Sequence, residues 1–246
     1  MTSRYLNKLL LHWERVEGEP SFASIPAIRS LKELNFPSNV TFFVGENGTG
    51  KSTLLEAIAV EYGFNPEGGS RNFNFTTRDS HSDLYRCISF HKGPVRPKDG
   101  FFLRAESFYN LASQVDEYAS VPARGNFYQN YGGKSLHQQS HGESFFSLLK
   151  NRFWGNGLYL LDEPESALSP QRQLAVLALL YQLGQEGSQL IIATHSPILL
   201  GLPEAAIYSF DGEAVHPVSY EETESYQVTK MFLTRREQML EELLRQ

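Results

Sequence analysis

Val40-Thr41-Phe42-Phe43-Val44-Gly45-Glu46-Asn47-Gly48-Thr49-Gly50-Lys51-Ser52-Thr53-Leu54-Leu55 is the stretch that decides the fold. Its first five residues are β-branched or aromatic and uncharged, the composition of a buried strand. Over residues 52–62 the spacing turns helical, with Leu54, Leu55, Ile58 and Ala59 on one face. Between them, residues 45–52 match G-x-x-x-x-G-K-[ST] in full. Glycines let successive N–H groups converge on phosphate oxygens, and the start of the helix aims its dipole at the same point. Lys51 is therefore expected to reach the β- and γ-phosphates of ATP, and Ser52 to ligate Mg²⁺. Gly45, Asn47, Gly48, Thr49, Gly50 and Thr53 complete the expected ATP cradle. A chance glycine-rich turn is the alternative, and the strand before and helix after argue against it.

Leu158-Tyr159-Leu160-Leu161-Asp162-Glu163 is an apolar strand ending in two acids. Such a strand delivers its last side chains to the edge of a parallel sheet, where a phosphate cradle also sits. Two charges at a buried strand end need a cation or a partner. Asp162 is thus expected to hold the Mg²⁺ hydration shell, and Glu163 to orient or deprotonate an attacking water. His195 follows another buried run, residues 189–194, and is expected at the same edge.

Outward from these anchors, residues 5–13 read as a strand, and a second short strand is expected near Phe22. Residues 64–135 are rich in Gly, Asn, Ser, Arg and aromatics. Apart from strands at 84–90 and 101–103 they read as an irregular insertion. Helices are expected at 144–153 and at 171–183, the latter with Leu174, Leu177, Ala178 and Tyr181 as its apolar face. Asp211-Gly212 marks a hairpin between residues 206–210 and 214–218. From Val228 an amphipathic helix carries Phe232, Leu233, Met239, Leu240, Leu243 and Leu244, expected to pack as a terminus, with a partner surface as the second reading.

The motifs together resemble a family. Asp162-Glu163-Pro164-Glu165-Ser166-Ala167-Leu168-Ser169 resembles the Walker B and D-loop run of ABC (ATP-binding-cassette) ATPases, D-E-P-T-S-A-L-D, with departures at Glu165 and Ser169. Ala193-Thr194-His195-Ser196-Pro197 resembles the family's switch histidine. Ser140-His141-Gly142-Glu143-Ser144 resembles a degenerate form of the signature L-S-G-G-Q. The T-H-S-P form is closer to small bacterial AAA-labelled ATPases, relatives of the chromosome-maintenance and OLD-type proteins, than to transporter subunits. The resemblance implies an α/β P-loop NTPase fold of ABC type over residues 1–246, with a mainly parallel central sheet flanked by helices and an N-terminal antiparallel β portion. It implies Mg²⁺-dependent ATP hydrolysis with Glu163, His195 and Lys51 as catalytic residues. It also implies an ATP-dependent head-to-tail homodimer, in which Ser140, Gly142 and Glu143 of a second copy close the site, and an unidentified protein partner. No clear Q-loop glutamine is present; Glu106, after the strand run 101–103, is the candidate for its role.

Composition limits the rest. The net charge of −6 gives no global basic bias, so nucleic acid is possible but not indicated. The single cysteine, Cys87, reads as a reduced, half-buried strand thiol and points to a cytoplasmic protein. No apolar run reaches the length of a membrane span. His81, His91, His137, His141 and His216 show no metal-ligand spacing. Phe73, Phe75, Tyr109 and Tyr128, near Arg71, Arg78 and Arg124, read as packing groups, with base stacking second. The competing functions are an ABC transporter subunit docked on membrane partners and a nucleotide-gated interaction module with little turnover.

Overall fold

The computed structural model describes residues 4–16, 18–70, 82–120 and 127–245. Strands β1 (Leu6–Leu11), β2 (Glu33–Asn35) and β4 (Ile88–Lys92) form an antiparallel sheet in the order β2-β1-β4. The remaining strands are β3 (Val40–Val44), β5 (Asp99–Arg104), β6 (Gly157–Asp162), β7 (Gln189–Ala193), β8 (Ala206–Ser209) and β9 (His216–Pro217). They form the central sheet in the order β5-β6-β7-β3-β8-β9, parallel throughout except for the β8–β9 hairpin.

The runs of β3, β6 and β7, uncharged except for Asp162 at the end of β6, are buried on both faces, as parallel strands under two layers must be. Alternation splits each run between two cores. Phe42, Tyr159, Leu161 and Ile192 join the core under α3 (Phe108–Ala119), α4 (His141–Arg152), α5 (Pro170–Gln185) and α6 (Pro197–Leu200). Phe43, Leu158, Leu160 and Ile191 join the core under α1 (Pro26–Ser30), α2 (Lys51–Tyr62) and the antiparallel sheet. Helix α2 runs between the two sheets and is buried well beyond the expected face, Ala57 and Tyr62 included.

Several expectations are corrected. Phe22 lies in a 3-10 turn, Ser21–Ser24, not a strand; prolines at 20 and 26 withhold the N–H groups a ladder needs, and the ring is buried instead. The strand expected at 84–90 starts only at Ile88, because Asp83–Cys87 is a 3-10 turn capped by Ser82 Oγ on Leu84 N. Cys87 is fully buried at the end of that turn rather than half-buried in a strand. Helix α3 occupies part of the span read as irregular, with Phe108, Leu111, Ala112 and Val115 buried. Helix α5 buries Val176, Leu180 and Leu183, and leaves Leu174 (57%) and Tyr181 (44%) exposed. Its sequence carries two leucine stripes at helical spacing, and periodicity alone does not choose between them. Phe73, Phe75, His81, Arg71, Arg78 and Arg124 lie outside the described residues.

The C-terminal segment is also corrected. It forms two helices, α7 (Glu224–Thr234) and α8 (Arg236–Leu244), and the apolar stripe expected to pack is largely exposed, with Leu233 at 74% and Leu244 at 76%. An amphipathic stripe reads the same whether it meets its own core or another surface.

Candidate nucleotide site

Strands β3, β7 and β6 are parallel neighbours, so the chain leaves all three at one sheet edge. That edge receives residues 45–50 from β3, Asp162 and Glu163 from β6, and Thr194 and His195 from β7.

The loop after β3 closes on Gly50, the N-cap of α2, at φ 98°. A Cβ at this position would lie 2.8 Å from Ile28 Cγ1. Lys51 is buried, and its Nζ donates to the carbonyls of Gly45 and Glu46, both at 2.7 Å. Burial pulls its pKa down, while Glu163, Asp211 and Asp162 act in the opposite sense. Thr49 Oγ1 donates to Glu46 O at 2.8 Å, Asn47 and Gly48 are exposed, and Thr53 is half-buried in the first turn of α2. Ser52 Oγ donates to Asp162 Oδ1 at 2.8 Å. Burial pushes the Asp162 carboxyl up to about 6, held back by the Ser52 hydrogen bond and by the Arg104 guanidinium.

Glu163 takes a left-handed backbone, φ 51°, and donates its N–H to Ala193 O at 2.9 Å. A non-glycine residue held there is strained, and such strain gathers at functional positions. The result is that Glu163 Oε1 lies 3.9 Å from His195 Nε2. That nitrogen is closed off from solvent and has no hydrogen-bond partner.

The signature-like run sits at the start of α4, with Ser140 as N-cap. Glu143 Oε2 accepts from Ser140 N (3.1 Å) and Ser140 Oγ (2.7 Å), and these bonds hold the Glu143 carboxyl below its usual range. Gly142 abuts the turn that follows Glu163 in the same chain: a Cβ there would lie 2.6 Å from Ala167 O. Phe145, in the first turns of α4, packs on Phe108 of α3 with ring centroids 5.2 Å apart.

Two site residues escaped the sequence reading. Asp211 Oδ1 accepts from Glu46 N at 2.8 Å and pins the cradle to the β8–β9 loop. Arg104, last in β5, pairs in register with Asp162. Its Nε lies 3.7 Å from Asp162 Oδ2, Nη1 bonds the buried Glu56, and Nη2 lies 3.6 Å from Glu106. Glu106 itself is 86% exposed, so the group beside Asp162 at this strand end is the arginine. The signal was Glu56, a carboxylate set among Leu54, Leu55, Ala57, Ile58 and Ala59 in the apolar middle of α2.

Oxygen donors on Ser52 and Asp162, with basic Lys51 next to them, suit a hard divalent cation carried on a triphosphate. Among the described residues no cluster of three or more His, Cys, Asp or Glu could hold a metal ion without such help.

A family model described as "AAA domain" matches residues 21–117, and one described as "AAA domain, putative AbiEii toxin, Type IV TA system" matches residues 136–201. Between them they cover the cradle, both acids and His195. The chain is a relative of the ABC- and AAA-type P-loop ATPases. It is 27% identical to a "Putative ABC transporter ATP-binding protein" of Methanosarcina acetivorans over 71% of each chain. It is 24% identical to the "Macrolide export ATP-binding/permease protein MacB" of Hahella chejuensis, over 81% of this chain and 33% of that protein, so it spans about a third of that relative's length. The "SMC head domain from Thermotoga maritima" aligns with a TM-score of 0.44 at 18% identity, over 87% of this chain and 99% of that one. The mainly parallel, helix-flanked sheet of this P-loop ATPase relative agrees with the fold class expected from its sequence. Among its described residues, no helix is long and apolar enough to cross a membrane.

Proposed function

We propose that this chain binds ATP with Mg²⁺ and hydrolyses it, and that ATP draws two copies together head to tail to drive a partner process. The observation that carries the reading is the meeting of three strand ends: Ser52 on Asp162 at 2.8 Å, and His195 Nε2 facing Glu163 at 3.9 Å. Lys51 would leave the Gly45 and Glu46 carbonyls to hold the β- and γ-phosphates, with the loop N–H groups and the start of α2 around them. Ser52 and Asp162 would hold the magnesium ion, which would supply positive charge against the phosphates. Glu163 would orient or deprotonate the attacking water, and His195 Nε2, without a partner of its own, would bond the γ-phosphate.

A cradle of this shape leaves the far side of the γ-phosphate open. Ser140, Gly142 and Glu143 of a second copy, at the N-terminus of α4, would close it. The Ser140 hydroxyl now serves as a helix cap, and it would have to turn from Glu143 to the phosphate. Contact through the γ-phosphate makes the dimer the state that ATP favours and ADP does not. Light scattering tests this with Glu163→Gln, which should bind ATP and persist as a dimer, and with Glu163→Gln/Ser140→Arg, which should remain monomeric. A Glu163→Gln protein that is monomeric at high micromolar concentration with ATP bound removes the signature assignment.

A transporter role is the second reading, favoured by relatives whose names describe transporter ATP-binding proteins. Recovery of the chain from membranes in a complex with a membrane-spanning partner would establish it in place of a free dimer.

A further inference from the structure

The turn after Glu163 hides a carboxylate that the reading above does not use. Ser166 N bonds Glu163 O at 3.1 Å and Leu168 N bonds Glu165 O at 2.8 Å, so residues 163–168 fold tightly. Out of this turn the Glu165 side chain points inward. Its Oε1 accepts the backbone N–H of His195 at 2.6 Å. Burial pushes the carboxyl up, and the His195 N–H is the first influence pulling it back. An ionisable side chain drawn inward at this cost needs a bond that compensates.

The bond falls at the point where the histidine's placement is set. Thr194 N is still held by Phe43 O at 3.1 Å, an extension of the β7–β3 ladder. Ser196 already belongs to the next element: its Oγ caps α6 through Ile198 N (3.2 Å) and Leu199 N (3.1 Å), and donates to Gln173 Oε1 at 2.6 Å. Thr194 Oγ1 accepts from Ser196 N at 3.1 Å across the residue between them, and Glu165 holds the amide of that residue, His195. The same turn positions Glu163, whose Oε1 lies 3.9 Å from the His195 ring. One tight turn therefore meets the histidine twice: Glu165 holds its backbone N–H, and Glu163 faces its ring at 3.9 Å without a hydrogen bond.

We propose that Glu165 is a positioning residue for hydrolysis: its carboxylate clamps the His195 amide so that Nε2 stays aimed at Glu163 and the γ-phosphate. This rests on the ATPase reading above. Because Glu165 acts through His195, its loss harms turnover only while the histidine is present. Misplacing a reacting group by about 1 Å can cost about 100-fold, so a loss of about 10–100-fold is expected.

The test is a double-mutant cycle in steady-state phosphate release, with ATP affinity and melting temperature measured for every variant. Glu165→Ala should lower kcat about 10–100-fold with KM for ATP within about threefold. Glu165→Gln, which keeps an oxygen facing the amide, should retain most of the rate. Glu165→Asp, charged but too short to reach, should behave like alanine and serves if the alanine variant does not fold. Glu165→Ala/His195→Ala should be no slower than His195→Ala alone. Multiplying losses in the double variant, or wild-type turnover in Glu165→Asp, would overturn the clamp and leave the ATPase reading intact. If the wild-type chain releases no phosphate, the ATPase reading and the positioning role fall together. The amide proton resonance of His195 then reports the contact alone, and a resonance unmoved in Glu165→Asp shows that even the contact is absent.

Discussion

Replacing Gly50 by alanine tests how the cradle is held in place. Gly50 sits at φ 98°, and an added Cβ would lie 2.8 Å from Ile28 Cγ1 and 3.1 Å from Ile25 Cγ2. The left-handed backbone costs an alanine about 1–2 kcal/mol. Forcing a methyl against the flank of α1, where Ile28 is fully buried, costs about 1–3 kcal/mol more. A loss of about 2–5 kcal/mol in unfolding free energy is expected, read as a lower urea midpoint at unchanged m-value. Gly48 supplies the control: its φ is 83°, but nothing lies within 4 Å of an added methyl, so Gly48→Ala should show only the backbone part. Because the crowding pushes on the residue that starts α2, Gly50→Ala should also weaken ATP binding in isothermal titration more than Gly48→Ala does. Equal stability losses in the two variants would refute the claim that α1 buttresses the cradle.

Lys51→Ala should lower ATP affinity by at least ~100-fold in the same titration, the scale of two lost charge-assisted hydrogen bonds, while wild-type affinity would remove the cradle assignment. Asp162 gives a pH-dependent prediction. Its carboxyl is raised from 3.8 to about 6, so the native state keeps a proton that the unfolded chain has already lost, and stability falls as pH rises through that window. Asp162→Asn should therefore stabilise the metal-free protein in EDTA at about pH 8, by up to about 3 kcal/mol, with a smaller gain at about pH 4.5. A gain that does not depend on pH would contradict the burial argument.

Much of the site was legible because its chemistry is local. The cradle needs glycines, a lysine and a hydroxyl at fixed spacing, and Asp162-Glu163 advertises itself by ending an apolar strand. His195 was legible for the same reason. Arg104 and Asp211 were not, since each acts across the sheet, on residues 58 and 165 positions away. The inward turn of Glu165 was hidden likewise: as a residue type it reads as an exposed acid, and only the fold brings the His195 amide to it. Helix α3 had the spacing of Phe108, Leu111, Ala112 and Val115 in plain view, but the polar, glycine-rich residues around it masked the stripe. The buried face of α5 and the exposure of α8 depend on which surface each helix meets, and a hydrophobic pattern does not specify that.

The central claim is that Glu163 drives water onto an ATP held at this sheet edge. Single-turnover phosphate release, with ATP affinity measured on the same samples, tests it most directly. Glu163→Gln should bind ATP–Mg²⁺ as tightly as the wild-type chain and release phosphate at least ~10²-fold more slowly, the scale of a lost general base. Equal rates in the two proteins at full ATP occupancy would contradict it.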